Sequence, residues 1–302
     1  MTTQTPAVTV TRDIVYGYAR VDCADGREGR VRALKLDRYA PSGAGDGAPR
    51  PVVVLAFGGA FHRGSKEVDA FGEPDERNTS VAEYCALLAQ RGYVACSIDY
   101  RLVQEDPEPG NTPVIAEPSR IPRSRVDVVR RLLSLPRATE EMLWRGIEAA
   151  SDDMAMAARF VIASAAEWDV DPSRLALGGF SAGARTALNV AYGEKVPAAA
   201  VVSLSGYIDA GDLQRHVQRG KALPPVLLVS AEHDLDYIAE HTPAMARHFK
   251  EQGVDCAHVR VPGAGHFYPR SAAAVDASGV RSTVGTQVER FLDRTLRHRS
   301  PS

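Results

Sequence analysis

Gly179-Phe180-Ser181-Ala182-Gly183 decides the reading of this chain. The apolar run Leu175-Ala176-Leu177 precedes it, and Ala184-Arg185-Thr186-Ala187-Leu188-Asn189-Val190 follows. The order is therefore strand, sharp turn, helix, with a serine at the apex. Such a turn strains the serine backbone and needs small neighbours, which glycine supplies two positions before and two after Ser181. G-x-S-x-G is the pattern of a nucleophile elbow, which lifts a serine hydroxyl above the carboxyl ends of sheet strands. The same five residues also fit a plain glycine-rich turn. The flanking strand and helix are the context that separates the two readings.

Outward from the elbow, strands alternate with helices. Arg30 to Tyr39 places apolar side chains at alternate positions, as in a half-exposed strand. Pro41 to Pro51 is a Pro/Gly/Ala linker, and Pro51 to Phe57 is a continuous apolar run, as in a strand buried on both faces. Ser80 to Arg91 reads as a helix stopped by Gly92, and Tyr93 to Tyr100 as the next strand. Ala150 to Trp168 carries a helical stripe of Met154, Ala157, Ala158, Val161, Ile162 and Ala165. Ala199 to Leu204, Pro225 to Ser230 and Val254 to Val261 read as strands, and Ser282 to Arg297 as a closing amphipathic helix. This order predicts one α/β domain over residues 1–302, a mostly parallel central sheet with helices on both faces. Its functional loops belong at the carboxyl ends of the strands.

One stretch breaks the rhythm. Residues 103–146 form a long excursion, acidic and proline-rich at first (Gln104 to Pro113), then basic and partly amphipathic (Arg120 to Leu133). Insertions this long are usually functional or disordered. The expectation is a lid or cap over the site, against a merely solvated insertion. Arg120, Arg123, Arg125, Arg130 and Arg131 could meet an acidic substrate group or form a solvated face.

Bulk properties narrow the classes. With 302 residues, 44% hydrophobic and 25% charged, the chain has the composition of a soluble globular protein. A net charge of −2 gives no general attraction to nucleic acid or acidic membranes. No apolar run approaches the roughly 18 residues of a membrane span. The start Met1 to Pro6 lacks a basic segment followed by an apolar one, so no secretory signal is expected. Cys23, Cys85, Cys96 and Cys256 are widely spaced, without a zinc pattern, and read as free thiols of a reducing, cytoplasmic compartment. Oligomeric state is not legible.

A serine nucleophile needs a base, an orienting acid and oxyanion donors. Behind an elbow the chain order is serine, acid, histidine. After the strand ending at Ser230 comes Ala231-Glu232-His233-Asp234-Leu235-Asp236, from which Asp234 is the chosen acid, with Glu232 and Asp236 in competition. After the next strand comes Pro262-Gly263-Ala264-Gly265-His266-Phe267, and His266 is the chosen base. His62, His233 and His258 are weaker choices, and His298 lies in a charged tail. Oxyanion donors are backbone N–H groups, one from Ala182 and others from Gly59 and Ala60 in Phe57-Gly58-Gly59-Ala60-Phe61. Phe61, Phe180 and Tyr207 are expected to line the substrate pocket. This chemistry needs no metal or cofactor.

With these pieces assembled, the chain resembles an α/β-hydrolase of the carboxylesterase and hormone-sensitive-lipase-like group. The resemblance rests on Phe57 to Phe61, Asp99-Tyr100-Arg101-Leu102, Asp169-Val170-Asp171-Pro172-Ser173-Arg174, Gly179 to Gly183, Asp234 and Gly265-His266-Phe267. It covers residues 30–295 apart from the excursion, and it implies Ser181, Asp234 and His266 as the catalytic triad. The group usually writes His-Gly-Gly-Gly-Phe at the oxyanion loop; here Phe57 replaces the histidine and Ala60 the third glycine. Alanine is acceptable there if its φ is negative. The histidine of the group braces the loop by side-chain hydrogen bonds, whereas a phenylalanine can brace it only by packing.

The leading expectation is a serine hydrolase acting on small-molecule esters through an acyl-enzyme on Ser181. The second is an acyltransferase, cyclase or lyase of a natural-product pathway on the same fold. The third is a non-catalytic binding protein, which the presence of serine, acid and histidine together disfavours.

Overall fold

Strand β3 (Arg50–Ala56) is buried along almost its whole length because every residue from Pro51 to Ala56 is small or apolar and faces a helix layer on one side or the other. It lies in a computed structural model that describes residues 7–23, 26–43, 47–71 and 77–297. His298, the first six residues and part of the Pro41 to Pro51 linker lie outside the described residues.

In chain order the elements are β1 (Val8–Val21), β2 (Arg30–Pro41), β3, α1 (Val81–Gln90), β4 (Val94–Ile98), α2 (Ser124–Leu132), α3 (Glu140–Ala163), α4 (Ala165–Trp168) and β5 (Val170–Phe180). They continue with α5 (Ala182–Leu188), β6 (Ala200–Leu204), α6 (Ala210–His216), β7 (Val226–His233), α7 (Asp236–Glu251), β8 (Cys256–Gly265), β9 (Ala273–Asp276), β10 (Arg281–Thr283) and α8 (Val284–Leu292). The strands form one ten-stranded sheet in the order β1-β2-β4-β3-β5-β6-β7-β8-β9-β10. The run from β4 to β8 is parallel, and the additions at both edges are antiparallel.

This order positions the site. From β3 the chain crosses through α1 to β4 on one side; from β4 it returns past β3 to β5 and then steps steadily through β6 and β7 to β8. Right-handed crossovers in opposite directions place their helices on opposite faces. α1 therefore shares its face with α8, and Asp293 just beyond α8 accepts from Arg91 Nη2 (2.8 Å) and Tyr93 Oη (2.7 Å). The strand order reverses between β3 and β5, and the loops leaving their carboxyl ends diverge around a crevice where ligands bind in such sheets.

Element boundaries differ from the sequence expectation in several places: β5 already starts at Val170, and the closing helix starts at Val284 because Ser282 and Thr283 belong to β10. Helix α3 begins at Glu140, ten residues before the expected Ala150, because Thr139 caps it by accepting from Met142 N–H (3.1 Å) and two glutamates fill its first turn. The last part of the excursion is therefore the start of a core helix. Strand β8 runs on to Gly265, which brings the sheet right up to His266. The short strands β9 and β10 extend the edge after it, where no strand was expected. Among the described residues, no helix is long and apolar enough to cross a membrane.

Candidate active site

Strand β5 ends at Phe180 and helix α5 starts at Ala182, which leaves Ser181 alone at the turn with φ 53° and ψ −114°. L-residues rarely occupy this region, and holding one there costs about 1–3 kcal/mol. The surroundings fix it: Ser181 N–H donates to the Leu204 carbonyl at the end of β6 (2.8 Å), and Arg185 N–H donates to the Ser181 carbonyl (3.0 Å). The two elbow glycines have a steric cause. A Cβ on Gly183 would lie 2.0 Å from the Ala56 carbonyl oxygen, and one on Gly179 would lie 2.4 Å from the same atom. Glycine at both positions lets α5 close onto the end of β3.

His266 follows β8 and is buried. Its Nε2 lies 2.9 Å from Ser181 Oγ, and its Nδ1 lies 2.6 Å from Asp234 Oδ1. The carboxylate can only accept, so Nδ1 carries the proton and Nε2 presents its lone pair to the serine hydroxyl. The structure thus brings Ser181, His266 and Asp234 into one hydrogen-bonded row. The competing acids point elsewhere: Glu232 is exposed and accepts from Gly263 N–H, and Asp236 is exposed at the start of α7. Of the other histidines, His233 is exposed and His258 contacts Ser230.

Asp234 sits at the end of β7 and is held by more than the histidine. Ala231 N–H donates to its Oδ2 (3.0 Å) and Leu235 N–H to its Oδ1 (2.9 Å). Ser205 Oγ also donates to Oδ2 (2.6 Å), and Tyr268 Oη lies 2.9 Å from Ser205 Oγ. Ser205 and Tyr268 are site residues that the sequence reading missed. Their signal was positional: Ser205 directly follows β6, and Tyr268 lies two residues after His266.

The expected oxyanion loop, Phe57 to Phe61, lies directly over the elbow. A Cβ on Gly58 would meet Phe180 Cδ1 at 2.8 Å and Ser181 Cβ at 3.3 Å. The condition set for Ala60 is not met: its φ is +56°, and that of Phe61 is +61°. Left-handed backbone at a non-glycine residue costs about 1–2 kcal/mol, so the loop must be held from outside. Several groups do this. Tyr100 Oη donates to the Phe57 carbonyl (2.8 Å), His62 N–H to the Gly59 carbonyl (3.0 Å), and Val103 N–H to the Phe61 carbonyl (2.9 Å). Behind the loop, burial pushes the Asp69 carboxyl up to about 7, against the N–H groups of Val81 and Gly58 that draw it down. Phe57 is therefore braced through its own carbonyl as well as by packing.

A narrow cleft, with a free volume of about 40 Å³, opens beside Ser181 and Ala182. Ala60, Phe61 and Tyr207 line it, together with Ile121, Pro122, Arg125 and Val126 of the excursion, and Arg185 and Tyr237. Phe180 does not line this cleft. It is buried at the end of β5, with its ring 5.3 Å from His266 and 5.8 Å from Tyr268, because its side chain points behind the histidine.

The cleft is cationic. Arg185 is buried, 7% exposed, its guanidinium 5.6 Å from the Tyr207 ring and its Nε without an acceptor. Arg125 lies over Phe267 at 5.0 Å. Among the described residues, neither has a carboxylate within ion-pair distance. Burial pulls both guanidiniums below the usual arginine range. The other excursion arginines are used differently. Arg120 pairs with Glu117 (2.7 Å), Arg123 donates to the Ala138 carbonyl, Arg130 is buried against His62, and Arg131 is exposed.

Known proteins share the fold. Residues 69–294 match the dienelactone hydrolase family. Esterase 2 of Thermogutta terrifontis phosphoramylated by tabun superposes with a TM-score of 0.59 at 19% identity, over 99% of this chain and 98% of that one. The same esterase phosphorylated by paraoxon gives 0.58 at 20% identity, over 96% and 94%. Its propionate-bound form gives 0.58 at 19% identity, over 99% and 97%. No curated protein matches the sequence. The match bears out the α/β-hydrolase esterase expected from the motifs, at the level of the dienelactone hydrolase family rather than of the hormone-sensitive-lipase-like group. With the family match spanning most of its length, the chain belongs to the dienelactone hydrolase family and is a hydrolase of the esterase type with the α/β-hydrolase fold.

Proposed function

We propose that the protein is a serine hydrolase that cleaves carboxylic esters carrying an anionic group, through an acyl-enzyme on Ser181. The observation that carries this reading is the row Asp234, His266, Ser181, with contacts of 2.6 Å and 2.9 Å. His266 Nε2 takes the proton as Ser181 Oγ attacks the ester carbonyl. Asp234 holds the imidazole tautomer and stabilises the imidazolium. The N–H groups of Gly59, Ala60 and Ala182 receive the oxyanion. His266 then protonates the departing alkoxide, and the alcohol leaves. Water, deprotonated by His266, attacks the acyl-enzyme and releases the acid and free Ser181.

The anionic group follows from Arg185. A buried guanidinium with no carboxylate in direct contact among the described residues, and Asp212 and Asp209 acting on it only at longer range, is costly, and a substrate carboxylate supplies the close partner. Arg125 brings a second positive charge from the excursion, whose residues 121–126 wall one side of the cleft. This supports the part of residues 103–146 that precedes α3 as a cap over the site. Four buried free cysteines fit a reducing compartment.

The test is a pair of measurements on one sample. A fluorophosphonate should label Ser181, and short p-nitrophenyl esters should turn over in the wild type. Ser181→Ala should lose labelling and at least about 10⁴-fold in turnover while keeping its thermal unfolding. Unchanged turnover in the folded variant overturns the mechanism.

A further inference from the structure

The oxyanion loop has an unusual problem. Ala60 and Phe61 both sit at positive φ, yet Phe57 offers no polar side chain to hold them. His62 stands where that support is needed. It is 1% exposed and makes bonds on both sides of its ring. Nδ1 lies 2.7 Å from the Ala60 carbonyl oxygen, and Nε2 lies 3.0 Å from Arg130 Nη1. A carbonyl only accepts and a guanidinium only donates, so a single tautomer satisfies both: Nδ1 protonated, Nε2 bare. Burial lowers the proton affinity of this imidazole against the Ala60 bond that raises it, and Arg130 lowers it further.

The backbone of the same residue completes the clamp. His62 N–H donates to the Gly59 carbonyl at 3.0 Å. In a planar trans peptide the N–H points opposite to the C=O. Fixing the Gly59 carbonyl therefore fixes the Ala60 N–H, one of the donors assigned to the oxyanion. The ring bond to the Ala60 carbonyl fixes the next peptide plane. The excursion holds His62 in turn. Gln104 Nε2 donates to the His62 carbonyl (2.6 Å), and buried Arg130 of α2 is itself tied to the Pro136 carbonyl through Nε.

We propose that His62 is the positioning residue of the oxyanion loop and that Arg130, reaching in from the 103–146 segment, fixes its ring and tautomer. Access to the cleft and the aim of the oxyanion donors are then set by one segment. This inference rests on the hydrolase reading for its catalytic consequence but not for its structural one.

Two experiments test it. Imidazole ¹⁵N spectra, with the His62 signals assigned from their loss in His62→Asn, should show a Nδ1–H tautomer with a bare Nε2 at neutral pH. A Nε2–H tautomer or an imidazolium overturns the proposal, whether or not the protein hydrolyses esters. The second compares turnover. His62→Ala should lower kcat about 10–100-fold with KM nearly unchanged, the scale expected for a misaimed oxyanion donor. His62→Asn, whose Nδ2 can donate to the Ala60 carbonyl in place of Nδ1, should recover most of that loss. Arg130→Met should lie between them. Affinity for a trifluoromethyl ketone, whose adduct on Ser181 carries an oxyanion, should fall in step with kcat across the series. Full kcat in folded His62→Ala, or His62→Asn no better than His62→Ala, overturns the proposal. A wild type without ester turnover would instead count against the hydrolase reading and leave the tautomer to decide this one.

Discussion

Tyr100 lies stacked on Phe57, ring centroids 4.2 Å apart, and its hydroxyl donates to the Phe57 carbonyl at 2.8 Å. Both residues are fully buried, so one tyrosine supplies packing and a polar tether to the first residue of the loop proposed to hold the oxyanion. Phe57 therefore does not leave the loop unbraced. Its ring gives Tyr100 a surface, and its main chain takes the hydrogen bond.

Tyr100→Phe separates the two contributions. The stack survives and the tether is lost, leaving a buried carbonyl without that donor. Stability should fall by about 1–2 kcal/mol in denaturant titration, and kcat for a short ester should fall several-fold at unchanged KM. Unaltered stability and kcat would show that the tether is dispensable.

Ser205 tests the support behind Asp234. Its hydroxyl bridges Asp234 Oδ2 and Tyr268 Oη, while Ala231 and Leu235 still donate to the carboxylate from the main chain. Ser205→Ala should lower kcat about 10-fold, the scale of one hydrogen bond to a charged group, and leave KM within about 3-fold. A change in KM alone would assign Ser205 to substrate contact instead.

Arg185 tests the substrate class. Paired esters of the same acyl chain length, one ending in a carboxylate and one in a methyl group, are compared. Arg185→Met should raise KM for the anionic ester about 10–100-fold and leave the neutral one unchanged or improved, because a desolvated charge without a partner is removed. Equal losses on both esters would make Arg185 a structural residue of α5.

Glu194 predicts a stability trend with pH. Its side chain is buried, with Arg159 3.3 Å away and Oε1 without a partner, and burial pushes its carboxyl from an ordinary 4.5 up to about 8. Between those values the folded state holds a proton that the unfolded chain has released. Stability therefore falls as pH rises through that window, by at most about 1.4 kcal/mol per pH unit. Glu194→Gln should flatten this slope and be the more stable form at pH 8. Parallel pH–stability curves for the two proteins would overturn it.

Much of the architecture was legible because it is written in local chemistry. The buried strands are continuous apolar runs, and the helix α1 is announced by Ser80, whose Oγ accepts from Glu83 N–H at 3.1 Å. The start of α3 was misplaced because its first turns carry Glu140 and Glu141 rather than the apolar stripe that marks its middle. The excursion was legible only as an interruption. Its placement depends on ties to distant residues, such as the Val114 and Ile115 N–H groups to Glu148 and the Ala116 N–H to Asp212. Nothing in local spacing encodes such pairs.

By itself the sequence determined that Ser181 stands at a strained turn, that an acid and a histidine follow it in order, and that a small-residue loop comes after an early buried strand. These are properties of consecutive residues, where steric demand and periodicity act directly. Tertiary structure decided which acid reaches His266, that Ser205 and Tyr268 stand behind it, that Phe180 turns away from the cleft, and that Ala60 takes a positive φ. It also decided that Arg185 is buried with no carboxylate in ion-pair contact among the described residues and that His62 joins the loop after β3 to Arg130. Each of these depends on side chains far apart in the chain meeting at the crevice between β3 and β5, where direction and burial are set by how the strands are ordered in the sheet.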